Sequence, residues 1–273
     1  MSGILYLVAT PIGNLEDITY RAVRILSEVA AIACEDTRQS HKLLEHLGLR
    51  KPMISCHEHN ERSRAEEIVA KLLYGENIAF ISDAGSPLIS DPGYRLVEAA
   101  LEQGIAVVPI PGPSALITAL MGSGLATDAF YFGGFLPAKT NQRRKTLESL
   151  AELDATLIFY ESPHRILESL TDVAEVLGER RTAVARELTK IYEEFLRGTP
   201  AEIRATLANR PSVKGEITLL IAKADAQAED TIPIPEAVAE LVAAGVPRMD
   251  AMKAVARRRG ISKRDVYKAM EQI

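Results

Sequence analysis

Ten short runs of β-branched and apolar residues, spread over the first 222 positions, limit this fold more than any other feature. They cover 4–10, 31–35, 53–56, 78–83, 105–110, 130–134, 156–161, 182–187, 194–199 and 216–222. Most are nearly continuous in apolar character rather than alternating, which suits strands covered by helices on both faces. An α/β fold follows. Helical patterns fall between them: Thr19 to Ala30 places Ala22, Val23, Ile25, Leu26 and Val29 on one face behind Thr19 as N-cap. Arg64 to Leu73, Leu96 to Gln103 and Ile166 to Leu177 read the same way. Runs 194–199 and 216–222 follow each other with no convincing long helix, so mixed strand pairing is expected in the second half.

Glycines at 122 and 124 break the helix that follows residue 115, and set a division near Met121. Ten strands in this order also suit an eightfold barrel, but the glycine break and the strand-rich second half favour two sheets. The expected domains are 1–121 and 122–225, followed by a polar, proline-containing linker (Ala224 to Pro235) within a third segment, 226–273.

Two proline- and glycine-rich turns sit at successive strand ends. Asp83-Ala84-Gly85-Ser86-Pro87 leads into Leu88-Ile89-Ser90-Asp91-Pro92-Gly93, and Pro111-Gly112-Pro113-Ser114-Ala115 follows the next strand. The first strand ends similarly, in Thr10-Pro11-Ile12-Gly13-Asn14. Glycine lets backbone approach a ligand closely, and proline keeps such a loop from becoming helix. Open α/β sheets bind ligands beyond the carboxyl ends of their strands, so the three turns read as a small-molecule cradle. There is no P-loop, no G-x-G-x-x-G, no C-x-x-C and no G-x-S-x-G. Nucleotide hydrolysis, dinucleotide redox chemistry and serine hydrolysis all lose ground.

Charge is divided unevenly. The chain carries −5 overall, but 245–273 holds eight Lys or Arg against Asp250, Asp265 and Glu271, a local +5 that leaves −10 on the other 244 residues. The tail, 236–273, reads as helices Glu236 to Ala244, Met249 to Arg259 and one starting at Ser262, with Gly260-Ile261-Ser262 as a helix-turn-helix corner. Either it meets a polyanion or it is a solvated helical surface. Cys34 and Cys56 form neither a metal nor a disulfide spacing, no apolar run reaches the ~18 residues of a membrane span, and no charged leader precedes the first strand. A cytoplasmic protein is expected.

The blocks 5–17, 83–93 and 111–115, with Ile158-Phe159-Tyr160-Glu161-Ser162-Pro163-His164-Arg165 and Lys214-Gly215-Glu216-Ile217-Thr218, resemble the tetrapyrrole methylase superfamily of S-adenosylmethionine methyltransferases. Ala33-Cys34-Glu35-Asp36-Thr37-Arg38, Cys56-His57-Glu58-His59-Asn60-Glu61 and Val184-Ala185-Arg186-Glu187-Leu188-Thr189-Lys190 resemble its ribosomal RNA branch, the 2′-O-ribose methyltransferases of a 16S rRNA cytidine. The resemblance spans about residues 3–222, and the tail resembles that branch's extra module. It implies two α/β domains with S-adenosyl-L-methionine in the cleft between them, a homodimer, and 16S rRNA or the 30S subunit as partner. Position by position, it implies cofactor contacts at Pro11, Gly85, Ser86, Ile89, Ser114 and Ala115, with Asp83 orienting its loop. Tyr160, Gly215 and Glu216 are expected to close the adenine side.

Methyl transfer from an activated sulfonium asks mainly for in-line alignment and exclusion of water. A ribose hydroxyl gains from a base, and the matched loops offer Asp36, Asp83, Glu161 and Glu187, of which Glu187 or Glu161 is preferred. Arg38, Arg165, Arg186 and Lys190 suit phosphate or a developing alkoxide, and Arg257, Arg258, Arg259, Lys263 and Arg264 suit the RNA backbone. Each charged residue alone reads equally well as part of a structural ion pair. His57 and His59 lack a placed third ligand, so no metal is expected; they remain open between RNA contact and loop hydrogen bonding. The basic run 141–145 is open between an exposed helix start and a phosphate contact. Two other functions stay open: methylation of a small tetrapyrrole or protein side chain, and a non-enzymatic nucleic-acid-binding regulator.

Overall fold

All ten apolar runs form strands, each within two residues of the expected ends. In this computed structural model residues 2–224, 233–243, 245–258 and 262–271 are described, the side chains of Arg257, Arg258 and Glu271 excepted. The first half runs β1 (Ile4–Val8), α1 (Tyr20–Glu28), β2 (Ala31–Cys34), α2 (Thr37–His46), β3 (Met53–Ser55), α3 (Glu61–Leu73), β4 (Ile78–Ile81), α4 (Tyr94–Glu102) and β5 (Ala106–Ile110). These strands pair in parallel in the order β3-β2-β4-β1-β5.

β2 and β4 are buried along their whole length because helices cover both faces of the sheet. On one face Val8, Ile32 and Ile81 meet Ile25 and Leu26 of α1 and Leu44 of α2. On the other, Leu5, Ile78 and Phe80 meet Ile68 and Leu72 of α3 and Leu96 of α4. Thr19 caps α1, its hydroxyl accepting from the Ala22 N–H at 3.1 Å. β5 lies at the edge, which is where a strand can carry Pro109 without losing a ladder bond. The chain leaves β1 toward β2, past β4, and leaves β4 toward β5, past β1. Neighbouring strands thus send their connections in opposite directions and open a crevice at their carboxyl ends.

The second half runs α5 (Ala115–Ser123), β6 (Phe130–Phe135), α6 (Thr140–Ser149), β7 (Thr156–Glu161), α7 (Ile166–Leu177), β8 (Thr182–Arg186), β9 (Glu194–Gly198), α8 (Pro200–Ala208) and β10 (Ile217–Ile221). Its sheet has the order β6-β7-β10-β8-β9, with β6 and β7 parallel and the other pairs antiparallel, the mixed pairing expected. Two sheets, not a barrel, carry the ten strands. Helices α6, α7 and α8 cover the outer face through Leu147, Leu170, Val173, Ile203 and Leu207. The inner face receives α5, whose Leu116, Ala119 and Leu120 pack on Ile158, Ala183 and Leu220.

Three local readings change. α8 fills the interval where no helix was convincing, started by Pro200 at its first turn and by a capping box between Thr199 and Glu202. Gly122 lies inside α5 rather than breaking it: a Cβ there would come 2.4 Å from Cζ of Phe195, while Gly124, at φ +74°, ends the helix. In the basic run, Arg143 is 1% exposed and donates to Asp172 at 2.5 Å, and Arg144 donates to the same carboxylate at 2.7 Å. Arg143 and Arg144 thus tie α6 to α7, while Lys145 is exposed.

Both sheets and their helices belong to one compact unit, residues 1–151 and 155–222; 152–154 and 223–273 form another. In the latter, α9 (Ile234–Ala243), α10 (Arg248–Arg258) and α11 (Lys263–Glu271) pack through Val238, Ala251, Met252, Val255 and Val266. Ser262 caps α11 by accepting from the Asp265 N–H at 3.2 Å. Val242, Met249 and Tyr267 are exposed. Arg259, Gly260 and Ile261, most of the linker, and the side chains of Arg257 and Arg258 lie outside the described residues. Among the described residues no helix is long and apolar enough to cross a membrane.

Candidate functional site

The three turns are joined to one another at the carboxyl edge of the first sheet. Thr10 and Gly85 exchange backbone hydrogen bonds at 2.9 and 3.0 Å, and the Ser86 hydroxyl donates to the Pro113 carbonyl at 3.3 Å. Gly85 takes the left-handed conformation (φ +81°) that this junction requires. Beyond it, Leu88 and Ser90 adopt φ +72° and +65°, a costly backbone for residues with side chains, and α4 begins after Gly93 at φ +123°. The buried Glu61 carboxylate fixes that end of the loop by accepting from the N–H groups of Gly93 (2.9 Å) and Arg95 (2.8 Å).

Opposite these loops stand the ends of β7 and β8 and the start of β10. The space between is a cavity of about 340 Å³, at the lower end of the ~300–1,000 Å³ usual for small-molecule sites. Gly85, Ser86, Ile89, Ser114 and Ala115 line one wall; Tyr160, Gly215 and Glu216 line the other. Eight of the ten residues implied as cofactor contacts therefore share one cavity. Pro11 and Asp83 lie off the lining. Pro11 is buried behind it, and Asp83 accepts the Asp36 N–H at 3.2 Å. Sequence reasoning missed Ile12, Leu188, Phe135 and Asp91, which also line the cavity. Phe135 packs edge-on against Tyr160 at 5.7 Å, as Phe132 does at 4.9 Å. No local pattern marks Phe135, because it reaches the cavity from the neighbouring strand. Burial raises the Tyr160 hydroxyl above its ordinary pKa.

Of the expected catalytic residues, Glu161 lines the cavity, whereas Glu187, Arg186 and Asp36 do not. Glu161 is buried with both oxygens engaged: Oε1 accepts from the Ser162 N–H at 2.6 Å and pairs with Arg165 at 3.0 Å, and Oε2 accepts from the Ser169 hydroxyl at 2.5 Å. Glu187, at φ +52°, accepts from Lys190 at 2.8 Å and from the Glu216 N–H at 3.1 Å. The Lys190 bond holds its carboxyl below the usual range. This packing needs glycine at 215, since a Cβ there would sit 2.3 Å from Cγ of Glu187. Arg186 is held by Glu194 at 3.0 Å and by the carbonyls of Lys214 and Tyr192. Asp36 caps α2 through the Arg38 N–H and pairs with the Arg38 guanidinium, which keeps its pKa low.

Of the expected RNA contacts, Arg38 is open to solvent, its side chain 88% exposed, whereas Arg165 and Lys190 are committed to ion pairs at the cavity. Lys263 and Arg264 are exposed in the first turn of α11. His57 and His59 follow β3 with their rings edge-on at 6.0 Å. Among the described residues no group of three or more His, Cys, Asp or Glu is arranged to hold a metal ion.

Acidic groups converge behind the cavity. Burial raises the pKa of Glu35 and of Asp83, and the negative charge of nearby acids adds to it. Asp91 is pushed up to about 6, by burial first and then by the charges of Glu35 and Asp83, against a hydrogen bond with Ser82.

The sequence profile of the tetrapyrrole (corrin/porphyrin) methylases matches residues 4–204. The ribosomal RNA small subunit methyltransferase I of Halalkalibacterium halodurans is 48% identical over 276 residues, covering 99% of this chain and 95% of the relative. That of Haemophilus influenzae is 50% identical over 272 residues, covering 98% and 96%. Among solved structures, the uroporphyrin-III C-methyltransferase from Thermus thermophilus, in complex with S-adenosylhomocysteine, superposes with a TM-score of 0.56 at 18% identity, over 80% of this chain and 97% of that one. Parallel sheet, mixed sheet and intervening cavity agree with the profile match and with relatives aligned almost end to end: this chain belongs to the tetrapyrrole methylase family.

Proposed function

We propose that this protein transfers a methyl group from S-adenosyl-L-methionine to the ribose 2′-hydroxyl of a cytidine in 16S ribosomal RNA. One observation carries the reading: a cavity at the strand-switch crevice, walled by hydroxyls and small residues and without a phosphate-binding loop, in a chain about half identical to ribosomal RNA small subunit methyltransferases over nearly its whole length. The residues present fit the cofactor. Gly85, Ser86, Ser114 and Ala115 offer little bulk, the N-terminus of α5 opens at Ser114 beside the cavity, and Tyr160 with Phe135 supplies an apolar wall for a purine. Bound there, the cofactor supplies an activated methyl group, and the protein's part is to align the acceptor and exclude water.

Charged residues around the cavity act as its frame. Glu161 and Arg165 fix the start of α7, Glu187 and Lys190 hold the Gly215-Glu216 turn, and Arg186 locks β8 to the hairpin that follows it. Asp36 and Asp83 join the turn after β2 to the turn after β4. Arg38, Lys263 and Arg264, with Arg257, Arg258 and Arg259, contact RNA phosphates. The 30S particle as substrate, a homodimer, a cytoplasmic setting and the division into lobes 1–121 and 122–225 with a third segment at 226–273 belong to the same proposal.

The test offers S-adenosylmethionine labelled in its methyl group to 16S rRNA, to 30S subunits and to a tetrapyrrole acceptor, followed by nucleoside digestion. Label in 2′-O-methylcytidine supports the function. Label confined to the tetrapyrrole, or to a base rather than a ribose, overturns it.

A further inference from the structure

We propose that Asp91 accepts the proton of the acceptor hydroxyl during methyl transfer; the inference rests on the function proposed above and adds a catalytic residue to it. Three carboxylates line the cavity, and their surroundings differ. Glu161 has three donors on its two oxygens, which tie it to the start of α7. The Glu216 side chain is 76% exposed and paired with Lys190 at 3.0 Å. Asp91 lines the cavity, half-buried, with the charges of Glu35 and Asp83 and the Ser82 hydroxyl acting on it. It is the carboxylate of the three best placed to take up a proton from a hydroxyl in the cavity.

The backbone places it there at a cost. Two left-handed residues with side chains, Leu88 and Ser90, precede it, and the loop is pinned by Glu61 beyond it. Strain of this kind persists where the surroundings enforce it. Titratable groups face Asp91 from several elements. Glu35 and Asp36 follow β2, Asp83 follows β4, and Tyr160 and Glu216 stand across the cavity on the second sheet. His57, after β3, acts on Glu35. Burial first, and then the charges of Glu35 and Asp83, keep the proton affinity of Asp91 high.

In the step itself, the hydroxyl O–H bond breaks and its proton passes to the Asp91 carboxylate. The oxygen forms its new bond to the methyl carbon, and the carbon–sulfur bond breaks with its electron pair on sulfur. The products are a 2′-O-methyl ribose, a neutral thioether and a protonated Asp91 that releases its proton to solvent.

Full-length Asp91→Asn and Asp91→Glu proteins decide the matter, compared with wild type for single-turnover methylation of rRNA at pH 5–9 and for S-adenosylhomocysteine affinity by calorimetry. The wild-type rate should rise about tenfold per pH unit and level off above about pH 6. Asp91→Asn should lose ~100-fold or more in rate and the acid limb with it, while inhibitor affinity changes less than about threefold. Asp91→Glu should recover part of the rate together with the limb. If Asp91→Asn keeps the wild-type rate, or loses affinity in proportion to rate, the role is refuted. Wild-type protein that methylates no RNA refutes the proposed function and this role with it, whereas an active wild type with an equally active Asp91→Asn refutes the role alone.

Discussion

Replacing Glu61 by alanine removes one buried carboxylate and leaves the N-terminal end of α4 without its two hydrogen bonds. Glu61 is 7% exposed, and its Oε1 accepts from Gly93 at 2.9 Å and Arg95 at 2.8 Å. Nothing local can replace it. Gly93 has no side chain, and a Cβ there would fall 2.4 Å from Cε1 of Phe80. A hydrogen bond to a charged group contributes ~1.5–3 kcal/mol, and a carboxylate at a helix N-terminus gains up to ~2 kcal/mol more when partly buried. Because both bonds share one oxygen their effects are not additive, and a loss of about 3 kcal/mol is expected. At roughly 2–4 °C per kcal/mol for a chain of this size, thermal denaturation followed by circular dichroism should show Tm lower by about 6–12 °C. Glu61→Gln keeps an acceptor but not the charge and should cost about 1 kcal/mol. Since α4 anchors the loop from Ser86 to Asp91, S-adenosylhomocysteine affinity should fall in Glu61→Ala more than in Glu61→Gln. A loss below about 1 kcal/mol in Glu61→Ala, or equal losses in the two variants, would refute the reasoning.

Asp172→Ala removes the close ion partner of the buried Arg143, leaving Glu168 at 3.7 Å and two backbone carbonyls, and should cost ~3 kcal/mol in urea unfolding, whereas Asp172→Leu combined with Arg143→Met should recover most of it. Glu194 is held down to about 2 by Arg210 and Arg186, so it stabilises the folded state above the ordinary carboxylate range. That stability should drain away as pH falls from about 5 toward 2, and Glu194→Gln should flatten this part of the pH–stability curve. Neutralising Lys263 and Arg264 together should reduce the slope of log affinity for rRNA against log salt by ~1.4–1.8 and leave inhibitor binding unchanged, as filter binding over a salt series would show.

The strands were legible because helices cover the sheets on both sides, which writes them as unbroken apolar runs with few competing interpretations. α8 was not, because its buried positions amount to Pro200, Ile203 and Leu207 and give little periodicity; its readable mark was the capping box. The turns that line the cavity announced themselves through glycine and proline. Asp91 lies within one of these turns yet did not stand out, since what raises its proton affinity is its burial and then the charges of Glu35 and Asp83 at the ends of other strands. Only strand order brings those together. The basic run at 141–145 stayed open for a related reason: Asp172, the partner of Arg143 and Arg144, lies on a helix nearly thirty residues away.

The seating of α5 decides where this protein can be cut. The helix leaves the first sheet but lies on the second, so a recombinant fragment beginning after Ser123 would bare the inner face of β7, β8 and β10, and one ending at Ser123 would carry a greasy stripe with nothing to cover it. Chimeras between members of this family should therefore treat α5 as property of the downstream half, joining partners in the Pro111–Pro113 turn and accepting that the seam then runs through the cavity wall itself.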